Sequence, residues 1–156
     1  MASNNIGSKV EIAVESDGTT PDPFADSALP LEASDFSALN WAEIPNIGTV
    51  GDTGFEQNMT TYDVWGANLS KKTKGIATGR DVEMRCLDES SNGVTAVKAA
   101  ISITDNNNYA FKITKADGSI EYNVGRVGSL GLSKGGPEDY SELFFTLGIN
   151  QEPVFA

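Results

Sequence analysis

The chain has 156 residues, 39% of them hydrophobic and 21% charged, which fits one soluble domain with a core of its own. It has no histidine and one cysteine, Cys86, so Ser–His–Asp and Cys–His pairs, histidine-ligated zinc and an internal disulfide are all excluded. The net charge of −11 lies in one block: residues 10–70 hold Glu11, Glu15, Asp17, Asp22, Asp26, Glu32, Asp35, Glu43, Asp52, Glu56 and Asp63 with no Lys or Arg, and the remainder is balanced.

Basic residues resume at Lys71, Lys72 and Lys74, with Arg80 and Arg85 soon after. Such a dipolar layout suits head-to-tail association, where the acidic segment of one subunit meets the basic segment of the next. The competing reading is an acidic, solvated surface that only keeps the protein soluble. The first residues lack the apolar core of a signal peptide, and no apolar run reaches membrane-spanning length, so folding in the cytoplasm is expected.

In chain order, residues 1–7 are polar and expected to be loose. Val10, Ile12 and Val14 alternate with Lys9, Glu11 and Ala13, which predicts a half-buried first strand closed by an Asp17-Gly18 turn. Residues 17–40 form an acidic arm in which Pro21, Pro23 and Pro30 rule out a central strand. Its apolar residues, among them Phe24, Leu29, Leu31, Phe36 and Leu39, predict an arm that docks on another surface, with a short helical turn near 35–41.

Residues 41–76 hold both tryptophans and glycines at 48, 51, 54, 66 and 75. They read as extended segments running into a long exposed loop at 63–81, or a projecting hairpin. Val82, Met84 and Cys86 alternate as a strand, with Cys86 as a small buried hydrophobe. Ser91 or Asn92 caps a helix near 91–103, whose Val94, Val97, Ala100 and Ile101 form an apolar stripe facing the core. Asp105 to Asn108 reads as a helix-ending turn rather than a metal site.

Tyr109, Phe111 and Ile113, then Ile120, Tyr122 and Val124, predict a hairpin about Asp117-Gly118. Gly125 to Gly136 bends as a loop without P-loop spacing, and Leu143, Phe145, Leu147 and Ile149 alternate through a last strand before the tail at 150–156. The sum is about seven strands and one helix in a single mainly β domain, with no catalytic constellation.

An ordered set of residues resembles a family. Glu43-Ile44-Pro45-Asn46-Ile47-Gly48 with Gly51 comes first, then Tyr62-Asp63-Val64-Trp65 running into Lys72, Lys74, Gly75 and Ile76. The Val82–Cys86 strand with its helix, Tyr109–Ile113, and Phe145–Gln151 with Pro153-Val154-Phe155 follow. Over roughly residues 41–156 the chain resembles the tail tube (major tail) proteins of long-tailed, non-contractile bacteriophages and related gene-transfer particles. It departs from them at Ala77–Arg80, where such proteins often carry an acidic turn, and in its longer, more acidic arm.

The resemblance implies a β-sandwich or barrel-like subunit with a flanking helix, a virion structural protein rather than an enzyme, and no cofactor or metal. Hexameric rings would stack into a tube, assembled in the bacterial host cytoplasm around a tape-measure protein and bounded by tail terminator and tail-tip or baseplate proteins. DNA would pass through the lumen without specific binding. Contacts between subunits and rings would use Phe24 and Leu29 of the arm, Trp41, Ile44 and Pro45, then Trp65, Lys71, Lys72, Lys74 and Arg80 of the loop, and Val154 and Phe155 of the tail. Glu83, Glu121 and Glu142, each among alternating strand residues, are candidates for the lumen face. The alternative is a β-sandwich carbohydrate-binding or adhesin module of a tail, with Trp41 and Trp65 as a sugar platform.

Overall fold

The computed structural model describes residues 6–66 and 68–156; the loose start expected at 1–7 falls largely outside the described residues, as does position 67 of the expected loop. Among the described residues the chain is mainly β, with ten strands and two short α-helices. In order these are β1 (Lys9–Val14), a 3-10 turn (Asp26–Ala28), α1 (Ala33–Ser37), β2 (Asn40–Ile44), β3 (Ile47–Val50), β4 (Phe55–Tyr62) and β5 (Lys71–Gly79). Then follow β6 (Asp81–Leu87), α2 (Asn92–Ala100), β7 (Tyr109–Thr114), β8 (Ile120–Ser133), β9 (Glu142–Ile149) and β10 (Val154–Phe155).

One antiparallel sheet runs β2-β1-β7-β8-β9-β6-β3, with β10 also on β8. Strand β8 is the pivot. Its first part, 120–125, pairs with β7, and its second part, 125–133, pairs with β9. The sheet folds about this strand into two halves facing each other. Its terminal strands, β2 and β3, are joined only by Pro45 and Asn46, so the chain itself brings the two ends together. Asn46 makes that corner with φ 56°, a left-handed conformation that asparagine tolerates.

Period-two patterning explains the main core. Val10, Ile12 and Val14 of β1 meet Val82, Met84 and Cys86 of β6 and Leu143, Phe145, Leu147 and Ile149 of β9. Phe111 from one half and Phe145 from the other approach to 6.0 Å between ring centroids. Each such side chain contributes roughly 1.5–3 kcal/mol by leaving water.

Helix α2 closes the open side of this core with Val94, Ala96, Val97 and Ala100. The Ser91 hydroxyl caps it by accepting from the Val94 N–H at 3.2 Å. Gly93 weakens the helix by propensity but is required by packing: a Cβ there would lie 2.1 Å from the Glu43 carbonyl oxygen.

A second cluster lies on the outer face of the first half-sheet. Ala13, Ala110, Tyr122 and Val124 are covered by Leu31 and Phe36 of the arm, with Phe24, Leu29, Leu39, Trp41 and Val154 packed around them. The arm therefore docks on its own domain. Its helical turn falls at α1, earlier than the expected 35–41, and a capping box between Glu32 and Asp35 starts it.

Three further expectations are corrected. Lys71–Gly79 is a strand rather than loop, so the projecting-hairpin reading of 63–81 describes it, with β4 as its partner. Residues 125–133, expected to bend as a loop, continue β8 because β9 pairs with them through a bulge at Ser129, φ 57°. Ile44, expected at an interface, is 1% exposed in the main core, since on β2 it alternates with exposed Glu43.

Candidate assembly surface

Hairpin β4–β5 stands apart from the main sheet as its own two-stranded ribbon. Phe55 pairs with Gly79 at the root and Tyr62 with Lys71 near the tip, with a bulge between Gln57 and Met59. Gln57 donates to the Gly75 carbonyl across that bulge at 3.0 Å, and Arg80 bridges to Glu56 at 2.9 Å. The root is clamped to the body: the Ile149 N–H donates to the Arg80 carbonyl at 3.1 Å, and a Cβ on Gly79 would lie 1.9 Å from the Ile149 oxygen.

Beyond the root the ribbon is bare. Met59, Tyr62, Leu69 and Ile76 are exposed, and Trp65 at the tip is 102% exposed. Among the described residues none of Lys71, Lys72 or Lys74 has an ion-pair partner. A two-stranded hairpin is marginal alone in water, and a concentrated apolar surface of this kind marks an interaction site. The charge reversal of the sequence thus falls inside this hairpin, with Glu56 on β4 and the lysines on β5.

The outer face of the second half-sheet is also uncovered by any arm. Glu83 of β6 and Glu142 of β9 share it, placed together by the pairing of Arg85 with Phe144 between them. Arg85 lies 3.1 Å from Glu83 and 3.5 Å from Glu142, and stacks 4.3 Å from the Phe144 ring centroid. Glu121, the third candidate for this face, is not there. It sits on the first part of β8, half-buried, and accepts from Thr53 and Asn123 at 2.9 Å each.

The arm residues proposed for contact are engaged within the chain. Phe24 bridges Asn108 in the backbone, and Leu31 exchanges hydrogen bonds with the Gln151 side chain at 2.9 and 3.3 Å. Asp26 accepts from Asn108 at 2.7 Å and from Arg126 at 2.8 Å, and Asn150 donates to Asn108 at 2.7 Å. The Asp105–Asn108 turn is therefore a latch for the arm, with Tyr109 donating to the Asp105 carboxylate.

The Asn108 and Arg126 bonds hold the Asp26 carboxyl below its ordinary value of 3.8. A lowered folded-state pKa gives stability that is present above the ordinary value and lost as pH falls through the folded one. The urea midpoint of Asp26→Asn should accordingly lie below wild type at neutral pH, and the gap should close in acid. A gap of constant size across that titration would deny Asp26 this role.

The remaining candidates divide. Trp41 is half-buried, 5.8 Å from Tyr122 by ring centroids, with the Lys112 ammonium 5.2 Å over it. Pro45 is half-buried in the corner between β2 and β3, and Val154 packs into the second cluster, whereas Phe155 is 73% exposed. Trp41 and Trp65 lie on different elements and form no shared platform. Cys86 is buried, and burial together with Asp88 and Glu89 pushes its thiol up to about 11, which keeps it protonated at neutral pH.

The sequence reading missed one surface. Ile103, Leu130, Leu132 and Tyr140 are exposed around the second part of β8 and the end of α2. The Leu130 and Leu132 spacing within a glycine-rich run was the available signal. No protein-family model matches this chain, and no curated protein sequence matches it.

Proposed function

We propose that this chain is a structural subunit that assembles with copies of itself into stacked, hexameric rings, forming the tail tube of a long-tailed phage or a related particle. The single observation carrying the self-assembly part is the β4–β5 hairpin. It projects bare apolar side chains and three exposed lysines that have no ion-pair partner among the described residues. The ordered residue resemblance carries the tail-tube part.

In this reading the outer face with Glu83 and Glu142 turns to the lumen. Arg85 on that face is held by both glutamates, which leaves it net acidic and suits a conduit, because free Lys and Arg contacts to phosphate would hold passing DNA. A tape-measure protein would occupy the lumen during assembly, and terminator and tail-tip proteins would bound the tube. The role is structural, and no step of chemistry is assigned to the chain.

Negative-stain microscopy of the concentrated protein tests this: rings or tubes are expected, and a strict monomer under all conditions would sink it. Lys71→Glu with Lys72→Glu should stop growth while leaving the urea midpoint within about 0.5 kcal/mol of wild type, as for exposed sites. Growth of wild type should also weaken with salt if these lysines meet acids at an exposed rim. Growth of the double variant equal to wild type would remove the lysines from the contact. Glycan binding lost on Trp65→Ala without loss of assembly would favour a carbohydrate-binding module instead.

A further inference from the structure

We infer that the hairpin of one copy docks on the unpaired edge of β8 in a second copy, adding a strand there. The inference rests on the self-assembly reading and names the surface that receives the hairpin. The acidic arm is a poor receiver, because its apolar residues and Asp26 are already engaged by its own domain.

Strand β8 has β7 beside it only up to Gly125, while β9 follows it on the other side to Ser133. From 126 to 133 one row of backbone donors and acceptors therefore has no strand partner. Proteins rarely leave such an edge open, because any extended segment can add to it. A groove of about 860 Å³ lies here, with 126–130 of β8 on one side and 101–106 after α2 on the other. Ile103 is 103% and Leu130 51% exposed on its rim, beside Lys98 and Arg126, and Leu132 further along the same strand is 46% exposed.

The hairpin supplies what this edge lacks. Strand β5 spans nine residues, has β4 on one side only, and is long enough to cover the open part of β8 at 126–133. Strand addition would satisfy both rows of backbone groups and cover Ile76, which is 82% exposed, together with the leucines. Charge agrees. Among the described residues the lysines of β5 have no ion-pair partner, and the β8–β9 loop presents exposed Glu138 and Asp139, against which only Lys134 stands locally. The hairpin and the β8 edge are different surfaces of the chain, so the contact is heterologous. It leaves a free hairpin and a free edge after every addition, and it propagates.

Cysteine cross-linking of the full chain tests the assignment, since native Cys86 is buried at 2% exposure. Ile76→Cys and Leu132→Cys are made separately, mixed under assembling conditions and treated with a short bis-maleimide. Mixed dimers should exceed those from Ile76→Cys with Thr95→Cys by about tenfold, the effect of a raised local concentration. Leu130→Lys with Leu132→Lys should abolish particles while retaining the wild-type urea midpoint. Particles that form normally in the lysine variant, or cross-linking no stronger than the Thr95 control, would overturn this docking and leave self-assembly standing. Wild type that forms no particle at any concentration would overturn both.

Discussion

Replacing Phe36 with alanine is expected to lower the unfolding free energy by about 3–5 kcal/mol, with the urea midpoint moving and the slope unchanged. Phe36 is 0% exposed and stacks on Tyr122 at 4.5 Å between centroids with planes 2° apart. Truncation removes that stack and opens a cavity under the arm, where Leu31 and Val124 cannot both collapse. The experiment separates two roles for the arm. An arm held by a neighbouring subunit would leave Phe36 in water in the monomer, and its truncation would then cost under about 0.5 kcal/mol, as at ordinary surface positions. A loss that small in monomeric protein would mean that residues 17–40 belong to the assembly rather than to the domain.

Gly125→Ala should be comparably severe, at or above the top of the roughly 1–3 kcal/mol range for overpacking. Gly125 is where β8 passes from β7 to β9. A Cβ there would sit 2.0 Å from the Gly148 oxygen, 2.7 Å from its carbonyl carbon and 2.9 Å from the Ile149 Cα. All three are backbone atoms, so no rotamer change relieves the overlap and the two strands must separate. Gly128, further along the same strand, provides the control: nothing lies within 4 Å of a Cβ placed there. Gly128→Ala should stay within about 0.5 kcal/mol of wild type. Equal urea midpoints for the two variants would show that the crossing at Gly125 is looser than this geometry requires.

Legibility in the sequence followed burial. Strand β9 reads cleanly because Leu143, Phe145, Leu147 and Ile149 are buried and the residues between them are not. The same holds for β6, and for α2, whose stripe and Ser91 cap both appear as expected. Strand β5 was missed as a strand because both its faces are wet. A ribbon that buries neither side has no alternation to display, and Ile76 is its one large apolar residue. The second part of β8 was hidden by glycines, of which Gly125 and Gly131 have a tertiary reason: the Phe144 ring fills the place of a Gly131 side chain, with ring atoms 2.0 Å from a Cβ there.

The candidate surface was legible in residue type and not in partnership. Trp65 and the lysines stand out in the chain, and all are exposed. Phe24, Leu29, Leu31 and Phe36 follow no period, so nothing in their spacing could say that their cover is β1, β7 and β8 of the same domain. Glu83, Glu121 and Glu142 each sit among strand residues, but only the register of β6 on β9 shows that the first and third share a face.

The strand order also governs when the domain can form. β1 must pair with β7, Lys9 facing Thr114 about 105 residues further along the chain, while its other neighbour, β2, is made early. At roughly 5–20 residues per second of synthesis, the β1–β2 pair waits about 3–14 s for β7 to be complete. For most of that interval a two-stranded pair with Val10, Ile12 and Ile44 on one face lacks α2, and throughout it lacks β9. The acids of residues 10–70 are already present on that unfinished chain and stand without a base until Lys71 is made, so like charge opposes contact between incomplete copies over the same span.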